Sequence, residues 1–285
     1  MRLTHDLGRS LELADTTTGS VRWRYVYGGK PKPFFHPLCT PAGHLLSSFE
    51  PSDHLWHRGL WFTIKFVNGE NFWEERPPFG TQRTTTPPAT SHAANGAITI
   101  ASQQTWHRPY DAGVVIDEQR TIVHRELDAG SYALDFATTL TPRADVLLDR
   151  TPFTTWGGYG GLVFRAHRGW QKGRLLFADG TVSERPTPVH GKWVDLSGLL
   201  DGGDQVSGGV AIFDHPRNVR HPTPWYGGTQ GTNYYVNAAF LFNEPLSVRA
   251  GEPLALRYRV IVHDGSWERD RLESQYQAWL GSAAV

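Results

Sequence analysis

The sequence predicts an all-β fold in which two antiparallel sheets stack on one another and a single short helix closes the C-terminus. Three observations carry this. Apolar and polar residues alternate with period two along most of the chain, the pattern of strands with one buried face. The composition joins Trp 11, Tyr 10 and Phe 14 to Gly 30 and Pro 19, which suits many strands separated by tight turns. Only the last segment spaces its apolar residues as a helix does.

The first clear strand is Val21–Tyr27, where the large rings fall on odd positions. Leu60–Phe66 follows, with Leu60, Phe62, Ile64 and Phe66 on one side and His57, Trp61, Thr63 and Lys65 on the other. Ile98–Gln103, Val114–Val123 and Tyr132–Leu140 come next, separated by turn signals such as Asn95-Gly96. In Leu162–Ala166, Arg165 lies opposite Leu162 and Phe164. Gly209–Phe213, Tyr234–Phe242 and Leu254–Val262 complete the set, and the last places Arg257, Arg259 and His263 opposite its apolar row. Thr84–Thr90 and Pro216–Thr232 are rich in Pro, Gly and Thr and are expected to be long loops. The helix is expected between Trp267 and Leu280, where Leu272, Tyr276, Trp279 and Leu280 recur at helical spacing before Gly281.

A chain of 285 residues with no composition break is expected to form one domain over 1–285. Lys+Arg 28 against Asp+Glu 28 gives no charge excess for a phosphate backbone or an anionic bilayer, so no nucleic-acid partner is expected. The single Cys39 excludes an intrachain disulfide and a thiolate zinc site. Mean hydropathy is −0.42 and the longest apolar run, Val236–Phe242, is far shorter than the about 18 residues of a membrane span, so no membrane partner is expected. The segment Met1–Asp6 lacks a basic stretch followed by an apolar core, and the protein is expected to be cytoplasmic.

The densest cluster of chemistry is Asp53-His54-Leu55-Trp56-His57-Arg58-Gly59-Leu60-Trp61, followed by Val67-Asn68-Gly69 and Phe72-Trp73. It resembles the signature of the PmoA-like family of uncharacterised bacterial proteins, an Asp-His-Pro-His-His-Arg-Gly-Leu-Trp core followed by Val-Asn-Gly and Phe-Trp. His54, His57 and Arg58 match, whereas Leu55 and Trp56 replace the Pro and the middle His. The resemblance continues through Trp156-Gly-Gly-Tyr-Gly-Gly-Leu162 with Arg165, and through Ala250-Gly-Glu-Pro-Leu254 to His263-Asp-Gly265. The family's label refers to methane oxygenase, a membrane-embedded copper enzyme, which a chain without transmembrane segments does not fit. What the resemblance implies is a galactose-mutarotase-like β-supersandwich with a sugar-sized groove. No position here matches the catalytic Glu of the aldose epimerases.

The expected function is a carbohydrate-active enzyme that moves protons on a sugar or keto-sugar by epimerisation, elimination or glycoside cleavage, all of which need an acid and a base across one ring. His57 and His263 are the expected catalytic pair. Arg165 is the expected anchor for a developing oxyanion or a ligand carboxylate, with His54, Arg58, Trp61 and His215 as further substrate-binding residues. The alternative is a non-catalytic sugar-binding or sensor module using the same side chains. His54 and His57, at i and i+3 in a turn, are also in reach of one ion, but no ligand set is complete, so no metal and no cofactor are expected. The expected partner is a small-molecule sugar, and the oligomeric state stays open.

Overall fold

The protein is described here by a computed structural model, which covers residues 1–151, 158–184, 188–200, 205–231 and 233–282. Strands and bridges account for 54% of the described residues, well above the quarter or so of an average domain. They form a nine-stranded sheet, a ten-stranded sheet and a small four-stranded one.

The nine-stranded sheet begins with Arg2–Asp6, Ser10–Ala14, Val21–Val26 and Phe34–Leu38, and continues through Leu60–Ile64 and Gly160–Arg165 to Asn233–Ala238 and Pro224–Gln230, with neighbours antiparallel. The ten-stranded sheet is built around Val114–Asp128, Ser131–Pro142, Leu254–Asp264 and Ser207–Asp214, again antiparallel. Its register pairs Tyr132 with Val262 and Val210 with Val262, so the apolar rows of three strands align. One continuous core fills the space between the two large sheets. Leu60, Phe62, Ile64, Leu162, Phe164 and Val236 enter it from one side, and Leu134, Phe136, Val210, Ile212, Val260 and Val262 from the other. Alternation therefore assigns each remaining residue of these strands to the outer face of its own sheet.

That parity decides where chemistry can sit. Trp61, Val163 and Arg165 lie on the outer face of the nine-stranded sheet, whereas Ile261 and His263 lie on the outer face of the ten-stranded sheet. The helix Arg269–Gly281 covers the latter face, burying Leu272 and Tyr276 with Trp267 against Ala133, Ala211, Phe213 and Ile261. Leu280, expected in that apolar stripe, is 36% exposed and takes no part in it. No helix among the described residues is long and apolar enough to cross a membrane.

Three further expectations need correction. The supposed long loop Thr84–Thr90 is cut short by the strands Thr81–Thr84 and Ala89–His92. The supposed loop Pro216–Thr232 contains the strand Pro224–Gln230. Its Gly227 reads as a turn residue but is required by close approach, since a Cβ there would stand 2.7 Å from the Tyr235 carbonyl oxygen. The strand Leu60–Phe66 ends at Ile64, and Val67 rather than Phe66 enters the core. The chain reverses just beyond, at Asn68-Gly69, where both residues have positive φ (51° and 77°) and Phe66–Val67 pairs with Glu70–Asn71.

Candidate functional site

The segment before Leu60 folds as two successive turns, with His54 N donating to the Pro51 carbonyl at 2.8 Å and His57 N to the His54 carbonyl at 2.9 Å. This brings residues 54 and 57 to one side. Gly59 then enters the sheet edge with φ 68°, and its carbonyl accepts from Arg165 N at 2.8 Å, which fixes the turn against the strand carrying Arg165. Behind the turn Arg58 is 3% exposed and its guanidinium is held by Glu75 and by Glu50, with 3.2 Å from Nε to Glu50 Oε1. Lys32, also buried, donates to the Trp73 carbonyl at 2.7 Å, and burial, opposed by Glu75, lowers its pKa to about 8. Asn71 Oδ1 accepts from Trp73 N at 2.9 Å, so Trp73 is fixed from both sides.

Above these supports lies a cleft of about 510 Å³, within the usual range for small-molecule sites. His54, His57 and Arg165 line it together, and their placement on one outer face agrees with strand parity. Its aromatic wall runs from Trp73 stacked on Tyr159 (5.1 Å, 20°) to Tyr226 (5.8 Å) and Tyr235 (5.7 Å further). Asn233 and Asn237 supply amides. Asn237 Nδ2 donates to the Leu162 carbonyl at 3.0 Å, which ties neighbouring strands beneath the cleft.

His57 is 9% exposed, and its ring stacks on His54 at 4.6 Å and leans on Trp61 at 5.0 Å. Its Nδ1 is buried and has no hydrogen-bond partner among the described residues. Burial, followed by the nearby charges of Arg165, His54 and Lys32, holds its pKa well below the ordinary histidine value, so the ring is a neutral proton acceptor near pH 7. Burial raises the Tyr159 phenol, reinforced by Tyr226 and Glu74; it also raises Tyr235, which Tyr226 hydrogen-bonds. Both phenols therefore stay protonated and can donate. Asp53, at the mouth, keeps a lowered pKa despite burial because His54, Arg165 and Arg168 surround it.

The other sequence-predicted residues lie elsewhere. His263 is fully buried under the C-terminal helix region, with Nε2 2.9 Å from Asp195 Oδ1, Nδ1 3.0 Å from the Gly265 carbonyl, and its ring stacked on Trp267 at 4.6 Å. It faces away from His57 across the whole sandwich, so the expected His57–His263 proton relay has no path. His215 packs edge-on against Trp279 on that far side, beside a cavity of only about 40 Å³. Arg58 and Trp61 support the turn from beneath and do not line the cleft. Trp156 lies outside the described residues.

Tyr226, Tyr235, Asn233 and Asn237 were missed, although a signal existed. In Asn233–Ala238 the last three alternate with the core residues Tyr234, Val236 and Ala238, and Tyr226 follows the core residue Trp225 in the neighbouring strand, on the same face as Gly228 and Gln230. No group of three or more His, Cys, Asp and Glu among the described residues is placed to hold a metal.

Residues 13–277 match a family of unknown function, DUF6807. No curated protein matches the chain. Among solved structures it is similar to heparan sulfate lyase HepC from Pedobacter heparinus, at 8% identity over 94% of this chain and 37% of that chain (TM-score 0.42). It is also similar to a galactose mutarotase related enzyme from Lactobacillus acidophilus, at 7% identity over 93% and 97% of the two chains (TM-score 0.39). A third is the GalM/aldose epimerase homologue from C. elegans, at 8% identity over 92% and 97% (TM-score 0.35). The chain thus spans little more than a third of the lyase it matches.

Proposed function

The chain belongs to the DUF6807 family, whose function is unknown, and we propose that its cleft binds a sugar or keto-sugar on which His57 moves a proton. The observation that carries this reading is the state of His57: a buried neutral imidazole with an unpartnered Nδ1, set among rings that suit a pyranose face. The likeness of the Asp53–Trp61 segment to the PmoA-like pattern fits it, because the matched His54 and His57 are the two that line the cleft.

In this reading neutral His57 acts as base. Arg165 faces the oxygen on which negative charge develops, and a protonated phenol, Tyr159 or Tyr235, serves as acid in place of His263. His54 orients the ring it stacks on. Epimerisation, elimination and glycoside cleavage share this set of roles.

The displacement of His263 to the far face favours a second reading, a sugar-binding module in which the same groups hydrogen-bond hydroxyls without turnover. One experiment separates the two. Aldoses and 3-keto-glycosides are screened by thermal shift, and products of each hit are followed by NMR for the native chain and His57→Gln. The enzyme reading expects retained affinity within about tenfold and turnover lowered about 10²–10⁴-fold. Ligands that bind and are never converted by the native chain establish the module reading instead.

A further inference from the structure

Arg165 is 1% exposed, yet the described residues satisfy little of its guanidinium. NH1 donates to the Asn233 amide oxygen, while Nε and NH2 have no hydrogen-bond partner among the described residues. Its nearest carboxylate, Asp53, stands 3.8 Å from NH2, beyond hydrogen-bonding reach, and is already engaged by Arg168 and contacted by His54 Nδ1 at 3.2 Å. Glu74, the other acid lining the cleft, is bound to Lys65, and Arg76 at the rim rests on the Trp56 ring at 4.8 Å. Around this cleft Arg165, Arg76, Arg168 and Lys65 are set against Asp53 and Glu74, a local excess of positive charge in a chain with Lys+Arg 28 and Asp+Glu 28. Burying a guanidinium whose one acidic neighbour stands off at 3.8 Å and is shared with Arg168 is costly, and the Asn233 amide contributes no charge to offset it.

We infer that the ligand of this cleft is an acidic sugar, such as a uronic acid, whose carboxylate docks on the Nε–NH2 edge of Arg165. The inference rests on the sugar reading above and narrows it. Both nitrogens are themselves buried, and once Asp53 moves aside that edge presents two parallel N–H donors at the spacing of two carboxylate oxygens. Asp53, with its side chain 44% exposed at the mouth, is the group the incoming carboxylate displaces. Arg76 and Arg168 then add attraction at longer range.

The test uses pairs that differ only in the acid. Binding of D-glucuronate against D-glucose, and of D-galacturonate against D-galactose, is measured on the full chain by calorimetry and thermal shift, with D-glucose 6-phosphate alongside. Each uronate should bind about tenfold or more tighter than its parent, and the margin should shrink as salt rises from about 0.05 to 0.5 M. In Arg165→Gln the margin should disappear, and in Arg165→Lys, which keeps charge without the fork, it should fall partway. If either variant fails to fold, the salt titration on the native chain decides. Equal affinity for acid and parent, or a margin that survives Arg165→Gln, overturns the inference while leaving the sugar reading intact. Preference for the phosphate over both uronates overturns the carboxylate assignment, and silence from acids and neutral sugars alike overturns the sugar reading itself.

Discussion

His54 and His57 stack ring on ring, their centroids 4.6 Å apart and their planes 25° from parallel, in a cleft that also holds the buried guanidinium of Arg165. Two imidazolium rings in that arrangement would repel, and His57 is the one that burial and Arg165 keep neutral. The expected outcome is a nitrogen chemical shift for His57 that stays in the neutral range down to below pH 6. In turnover, the acid limb assigned to His57 should accordingly fall below the about 6.5 of an unperturbed histidine. A His57 that titrates at or above 6.5 would remove the basis for treating it as the resident base.

His263 has a structural assignment that mutation can check. Its two ring nitrogens are taken by Asp195 and the Gly265 carbonyl, and a Cβ at Gly209 would stand 2.6 Å from its ring, so the site is filled to contact. His263→Ala leaves Asp195 buried without its partner and should cost about 3–5 kcal/mol, read as a lower urea midpoint. Ligand affinity at the cleft, on the opposite face, should change by less than about twofold. Loss of ligand binding without loss of stability would return His263 to the functional site.

Acid should weaken the fold earlier than carboxylates alone would cause. Burial, then Arg24 and His167, lowers the pKa of His36 to about 4, and its Nδ1 lies 2.8 Å from Ser47 Oγ. His57 is lowered in the same direction. For both, the folded value lies below the unfolded one, so folding favours the neutral ring. The contribution of His36 is complete above about pH 6.5 and is lost as the pH falls toward about 4, and that of His57 is lost in the same direction. Urea midpoints at pH 7.5, 6.0 and 5.0 should decline steadily, and His36→Gln, which does not titrate there, should flatten the decline. An unchanged slope in that variant would mean other groups carry the effect.

Much of this was legible in the sequence because period-two alternation encodes both strand and face. Leu60, Phe62 and Ile64 against Trp61, or Leu162 and Phe164 against Arg165, could be sorted into core and outer face from spacing alone. Alternation cannot say which sheet a strand joins, and that is why His263 was grouped with His57. Both occupy non-core positions, but two sheets have two outer faces. The same gap placed Arg58 among the substrate-binding residues, whereas Arg58 is tied to Glu50 and Glu75, and Arg165, more than a hundred residues away, is the arginine that acts on His57. Tyr226 was hidden for another reason: its strand carries Gly227 and Gly228, which weaken strand propensity and resemble a turn.

Gly59 offers the sharpest test of how the histidine turn is held. Its φ of 68° is unfavourable for any side chain, and a Cβ there would collide with the Phe35 carbonyl oxygen and lie 3.1 Å from Ser47 Cβ. Gly69 has a similar φ of 77° but open space around the same position, so it isolates the conformational part of the cost. Gly69→Ala should therefore lose about 1 kcal/mol, as expected for a left-handed alanine. Gly59→Ala should lose at least about 2 kcal/mol, because the backbone must move as well. Since the Gly59 carbonyl anchors Arg165 N, that movement should also shift the His57 resonances and weaken ligand binding, neither of which Gly69→Ala should touch. If the two variants lose the same stability and both keep the His57 resonances in place, close packing at Gly59 is not what positions His57 beside Arg165.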